Sequence, residues 1–203
     1  MSFGIELADA LSDKGYAVMD NFLDPVIVED LRQLVLDWFE NDKLKQAGIG
    51  QFHEHTIVKD VRGDLIRWID NKNPNPLVKG YLDKIGELMH FLNRYCYLGL
   101  KDAEMHYTTY PVGKYYERHS DLLNISSHRV ISTVLYLNPH WTNTDGGELV
   151  IYHNDVSEVK IEPLAGRLVI FRSELEHEVL TTKVERVSIT GWLLDQYADL
   201  TFL

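Results

Sequence analysis

After residue 102 the chain changes character, and this change limits its possible folds more than any other feature. Seven short runs rich in β-branched and aromatic residues follow one another: EMHYTTYPV, RVISTVLYLN, GELVIYH, SEVKIEP, GRLVIFR, HEVLTT and ERVSITGWLLD. Turn-forming stretches such as NTDGG and PLAGR separate them. Runs of this kind, bounded by Gly, Pro, Asn and Asp, read as strands. So many short strands in succession close as a sandwich, a jelly roll or a small barrel.

The first hundred residues read differently. In DPVIVEDLRQLVLDWFEND, Asp24 is a helix cap and Pro25 takes the first helical position, with Ile27, Leu31, Leu34, Val35 and Trp38 on one face. PLVKGYLDKIGELMHFLNRYCYLG repeats the pattern with Val78, Leu82, Ile85, Leu88, Met89 and Leu92, and ends near Gly99. Between these helices lie the glycine-containing KLKQAGIGQF and two strand-like runs, HTIVKDV and DLIRWID. Helices first and strands after predict an α+β fold, mainly β, with helices backing one sheet. No repeat or low-complexity linker divides the chain. The expectation is one domain over residues 1–203, with a helical support and flap over 1–100 and the β core over 101–203.

Composition narrows the function. Apolar residues make up 45% of the chain, enough for a sizeable core. The net charge is −11 and no block of Lys or Arg offsets it, which speaks against a nucleic-acid partner, since such binding rests on neutralising phosphates. The lone Cys96 cannot form an internal disulfide, which suits a reducing compartment. At an apolar helix end it reads as a buried, inert thiol. MSFGIELADALSDKGYAV lacks the basic start and apolar run of a signal peptide, and no apolar run approaches the roughly 18 residues that span a bilayer. A cytoplasmic protein with no membrane partner is expected.

Two His-x-Asp pairs stand out, His119–Asp121 in YYERHSD and His153–Asp155 in IYHNDVSE. The second lies between two strands and its Asn-Asp reads as a polar hairpin turn. The first closes a strand-like run, and period-two alternation puts imidazole and carboxylate on one face. With a third ligand from a distant strand they form a 2-His-1-carboxylate set, which suits non-haem Fe(II). His177 in SELEHEVL is the best third ligand. The next strand, ERVSITGW, carries Arg186, Ser188, Thr190 and Trp192 on one face and Val187, Ile189 and Gly191 on the other. If the aliphatic face packs on the helices, Arg186 points inward, and an inward Arg needs an anion. The residues alone leave two partners open: an internal Glu, or the carboxylate of a ligand.

Taken in order, these segments resemble the Fe(II)/2-oxoglutarate-dependent oxygenases, and within them the prolyl-hydroxylase-like group of animal oxygen-sensing enzymes and bacterial relatives. GYAVMDNFLD, VRGDLIRWID, YPVGKYYERHSD, VLYLNPHW, GGELVIY, HEV and RVSITGW follow in family order across most of the chain. The resemblance implies a double-stranded β-helix (jelly-roll) core with N-terminal supporting helices. It implies Fe(II), 2-oxoglutarate and O₂ as cofactors, with ascorbate as a stimulant. It carries the iron ligands onto His119, Asp121 and His177. The far carboxylate of 2-oxoglutarate falls to Arg186 and Tyr136, with Tyr110 lining the same pocket and Thr190 near the metal-bound water. Ser188 departs from the animal enzymes but agrees with the Arg-x-Ser pattern of the wider superfamily, where it adds a hydrogen bond to the cosubstrate.

On the substrate side the resemblance points to Arg62, Asp64 and Trp68, where a flap meets the core, and to Trp192 as a flat wall for a proline ring. Residues 43–55 read as a lid. The implied substrate is a prolyl residue in a protein loop. The flap and the stretch LLNISSH differ from the animal enzymes, which speaks against their transcription-factor substrate. A loop of a bacterial translation protein such as elongation factor Tu fits better. Two other readings stay open: hydroxylation of a small molecule or another side chain, and a non-catalytic jelly-roll sensor of metal or ligand. Iron- and 2-oxoglutarate-dependent succinate formation separates the last from an enzyme.

Overall fold

A computed structural model describes residues 3–47, 62–122, 128–153 and 157–197. Among the described residues three helices and eleven strands follow in the order α1 (Ile5–Lys14), β1 (Tyr16–Met19), α2 (Pro25–Glu40), β2 (Lys45–Gln46), β3 (Leu65–Trp68), α3 (Pro76–Cys96), β4 (Asp102–Tyr110), β5 (Tyr116–His119), β6 (Arg129–Tyr136), β7 (Leu149–Tyr152), β8 (Glu158–Ile161), β9 (Leu168–Arg172), β10 (His177–Val179) and β11 (Arg186–Leu194). All seven expected strand runs after residue 102 are present. With β1, β2, β3 and β5 they build a seven-stranded sheet in the order β1-β9-β6-β11-β4-β3-β2 and a four-stranded sheet in the order β5-β10-β7-β8. The two antiparallel sheets face each other as a jelly roll.

The helices start where their caps dictate. Asp24 Oδ1 accepts from the Val26 amide at 2.9 Å, and Asn75 Oδ1 from the Leu77 amide at 2.9 Å, each followed by a proline that gives up no useful donor. The buried face of α2 is Val28, Leu31 and Val35; Ile27, expected inside, is exposed. On α3, Tyr81 joins Val78, Ile85, Leu88 and Leu92 in the core, while Leu82 and Met89 flank it. The helix closes at Cys96, which is half-buried, with Tyr97 rather than Gly99 as the left-handed cap. Helix α1 was not anticipated. It ends at Gly15, whose φ of 74° suits a residue without Cβ and whose amide caps Leu11 O at 3.1 Å.

Strand alternation sorts the core into two layers. Val187, Ile189 and Leu193 of β11 and Ile131 and Leu135 of β6 pack with the helices. Val134, Tyr136, Val169 and Phe171 turn the other way and meet Leu149 and Ile151 of the smaller sheet. Burial of these aliphatics, at about 25 cal/mol per Å² of apolar surface, fixes the face of every strand. It thereby turns Arg186, Thr190 and Trp192 into the space between the sheets. The strand expected over residues 55–61 and most of the lid lie outside the described residues. Among those described, no helix is long and apolar enough to cross a membrane.

Candidate active site

The open end of the sandwich forms a cleft, and three ligand-type atoms converge there. His119 ends β5 and His177 begins β10; they are register partners across an antiparallel pair, which sets their rings side by side with centroids 4.3 Å apart. Asp121 is not on the strand, as alternation had suggested. The chain bends after His119, and the Asp121 amide and Ser120 Oγ both donate to Ser173 O at 3.1 Å. This turn swings the carboxylate towards both rings, with His119 Nε2 3.9 Å from Oδ1 and His177 Nε2 3.6 Å from Oδ2. One ligand atom from each of the three residues lies within 4.8 Å of the others.

The backbone fixes the histidine tautomers. His119 Nδ1 meets Glu117 O at 2.6 Å and His177 Nδ1 meets Leu175 O at 3.0 Å. A carbonyl only accepts, so both Nδ1 atoms carry the proton and both Nε2 lone pairs face the centre. Burial and the neighbouring His177 push His119 down to about 4, so its ring is neutral at pH 7. Burial alone would raise the Asp121 carboxyl. His177, His119 and the Ser132 hydroxyl outweigh it and hold the group below the usual carboxylate range. Two imidazoles with Nε2 turned to the centre and one carboxylate are a donor set for a divalent transition metal.

At the inner end sits Arg186, 2% exposed. Its guanidinium lies 5.0 Å from the ring centroids of both Tyr110, its register partner, and Tyr136. Nε donates to Gly147 O at 2.9 Å. Gly147 has φ of 70°, and a Cβ there would press on Arg186 Cδ and Thr182, so the close approach requires glycine. Among the described residues no carboxylate pairs with Arg186, which removes the internal Arg–Glu bridge. The buried Tyr136 hydroxyl lies beside the guanidinium but has no hydrogen bond of good geometry to any described residue. Burial raises its pKa, and the Arg186 charge opposes that shift. Burial also raises Tyr110 well above its ordinary value. A buried cation and an unpaired hydroxyl suit the carboxylate of a ligand.

The mouth is more ordered than a surface turn. Arg62 grips Asp64 at 2.6 and 2.8 Å, and Asp64 is fully buried. Arg62 also covers the Tyr116 ring at 4.7 Å, and Tyr116 stacks on His119 with centroids 3.6 Å apart. Trp192 borders the cleft under the Arg129 guanidinium, 3.4 Å from its ring. Its Nε1 faces the Asp121 carboxylate and helps hold it ionised, but without hydrogen-bond geometry, so the nitrogen counts as unpaired. Thr190 and Tyr110 border the cleft; Ser188 shares their strand face but stands behind it, fully buried, with Oγ 3.4 Å from Thr190 Oγ1. Trp68 is 47% exposed and sits on the rim against His106.

Several cleft residues were not anticipated: His106, Thr108, Tyr116 and Ser132. His106 packs against Trp68 and Trp192, and one ring nitrogen meets Thr108 Oγ1 at 2.8 Å. Burial and the Arg62 charge push it down to about 4. A signal existed for two of them. In EMHYTTY the alternation that places Tyr110 inside also places Thr108 and His106 there.

Comparison with known proteins fits this geometry. The profile of the 2OG-Fe(II) oxygenase superfamily matches residues 105–194. The crystal structure of a Pseudomonas putida prolyl-4-hydroxylase is similar with a TM-score of 0.84 and 34% identity, over 95% of this chain and 98% of that one. A Trichoplax adhaerens prolyl hydroxylase, solved with a hypoxia inducible factor peptide fragment, gives 0.84 at 28% identity, over 93% and 87% of the two chains. Mouse prolyl hydroxylase EGLN3 is 29% identical over 199 residues, 93% of this chain and 82% of its own. The chain belongs to the Fe(II)- and 2-oxoglutarate-dependent oxygenases. It is a dioxygenase whose relatives include prolyl hydroxylases, and its cofactors are Fe(II), 2-oxoglutarate and O₂.

Proposed function

We propose that this enzyme hydroxylates a prolyl residue of a protein. Fe(II) is held by His119 Nε2, His177 Nε2 and Asp121, and the far carboxylate of 2-oxoglutarate by Arg186 and Tyr136. One observation carries the assignment: three convergent ligand atoms share a cleft with a buried arginine that has no carboxylate partner among the described residues. When bound, iron with 2-oxoglutarate and O₂ supplies oxidative decarboxylation to succinate and CO₂ and the delivery of one oxygen atom to a substrate C–H bond. The protein's part is positional. It aims both imidazoles through their Nδ1 contacts, keeps Asp121 ionised, and neutralises the cosubstrate's inner charge away from water. Tyr110 and Thr190 shape the chamber, and Ser188 supports Thr190 from behind.

The prolyl reading rests on the named relatives and on the mouth. Arg62 and Asp64 border it as a braced pair, Trp192 offers a flat ring, and Trp68 stands on the rim. The finer proposal is a loop of a translation protein such as elongation factor Tu, with the reaction in the cytoplasm. The test is to incubate candidate proteins with enzyme, iron and 2-oxoglutarate and seek a +16 Da proline by tandem mass spectrometry. Turnover stimulated by a free metabolite, with no protein gaining oxygen, would replace it with the small-molecule reading.

A further inference from the structure

The histidines and the aspartate are held by different parts of the molecule. His119 and His177 belong to the smaller sheet, and carbonyls next to them in sequence set their rings. Asp121 is held from the larger sheet. Ser132 of β6 donates from Oγ to Asp121 Oδ2 at 2.6 Å, and Ser132 Oγ lies 3.0 Å from Ser173 Oγ, just past the end of β9. Both serines are 1% exposed. The proton directions follow from the inventory of donors. An ionised carboxylate only accepts, so Ser132 spends its single proton on Asp121 and must accept from Ser173. The relay runs Ser173 → Ser132 → Asp121. Its far end is anchored, because the Ser173 amide donates to Val130 O at 3.1 Å and its carbonyl takes both the Asp121 amide and Ser120 Oγ.

We infer that Ser132, backed by Ser173, is a positioning residue for the metal. It occupies Oδ2, leaves Oδ1 to the ion, and ties the carboxylate of the bend to the larger sheet. This inference rests on the proposed iron site. Hydrogen-bonded partners of metal ligands typically change metal affinity about 10–100-fold when removed.

The test uses the metal-free full chain and Mn(II) titration by calorimetry, with the visible spectrum of the Co(II) form as a second readout. Ser132→Ala should weaken Mn(II) binding about tenfold or more and alter the Co(II) spectrum, while Ser132→Thr, which keeps the hydroxyl, should restore both. Ser173→Ala should weaken binding less, and should add nothing in the Ser132→Ala background, because it acts through Ser132. Wild-type affinity and spectrum in Ser132→Ala, or additive losses in the double variant, would overturn the relay. Should Ser132→Ala not fold, Ser173→Ala decides: weaker binding supports the relay and wild-type binding overturns it. If His119→Ala and His177→Ala bind Mn(II) as tightly as the parent, the iron assignment itself fails and takes this inference with it.

Discussion

The two ends of the cleft are built on opposite plans. At the metal end every group already has its protein partner: each Nδ1 a carbonyl, the carboxylate a serine. At the inner end, among the described residues, the Arg186 guanidinium has one backbone carbonyl and no carboxylate, and the Tyr136 hydroxyl beside it has no hydrogen bond of good geometry. The difference teaches where each end's geometry comes from. The ligand set is shaped by the fold and waits for an ion. The inner pocket holds a charge that no described carboxylate offsets, so on the proposed assignment the cosubstrate's carboxylate would complete the structure as well as bind to it.

The largest expected effect breaks the metal end. His177→Ala should reduce succinate formation to background and weaken metal binding, whereas His153→Ala, just past the end of β7, should change neither. The opposite result would mean that the wrong His-x-Asp pair has been assigned. Next, Arg186→Ala should cost roughly 2–5 kcal/mol of cosubstrate binding, about thirty-fold or more in the 2-oxoglutarate requirement. Calorimetry should find Mn(II) affinity unchanged in that variant. A parallel loss of metal would show that the ends are not independent.

Between the ends sits His106, whose pKa falls from its ordinary 6.5 to about 4 in the folded state. The unfolded chain therefore takes up a proton first as pH drops. The stability contributed by the neutral ring is present above pH 6.5 and is lost as pH falls towards 4, up to about 3 kcal/mol. Urea denaturation of His106→Phe should show a correspondingly flatter acid limb than the parent; identical limbs would refute the burial argument. The smallest effect sharpens the comparison. Tyr136→Phe should cost only about 0.5–2 kcal/mol of cosubstrate binding. It should leave the ligand-free protein as stable or slightly more so, because it removes an unpaired buried hydroxyl. Thermal melts with and without 2-oxoglutarate check both signs.

Much of this arrangement was legible before any coordinates. The strand runs were readable because β-branched residues alternate between turn signals, and the faces of β11 followed from Val187 and Ile189 alone. On helix α2 Leu31 and Val35 are buried as expected, but Val28 takes the place expected for Ile27, since the two are equally apolar and only packing against the sheet chooses between them. Helix α1 begins at Gly4, which offers no side-chain cap, so its start left no mark in the residue types. Asp121 was recognised as a ligand but placed on the wrong element, because periodicity cannot show where a strand bends. Ser132 was invisible for a different reason. A serine in a strand looks the same whether it meets water or a carboxylate, and its partner lies eleven residues away across a bend.

The carbonyl clamps on His119 and His177 have a consequence for competition between metals. A site whose imidazoles are already aimed asks little rearrangement of any ion that accepts two nitrogens and a carboxylate, and for such ions the intrinsic order of affinities decides. Affinity for such nitrogen and oxygen donors rises from Mn²⁺ through Fe²⁺ to Cu²⁺, with Zn²⁺ also ahead of iron. In mixed solutions the redox-inert Zn²⁺ should therefore displace Fe²⁺ and act as an inhibitor. Which ion this protein carries would then be decided by the relative supply of free metals around it, and its activity would track that supply.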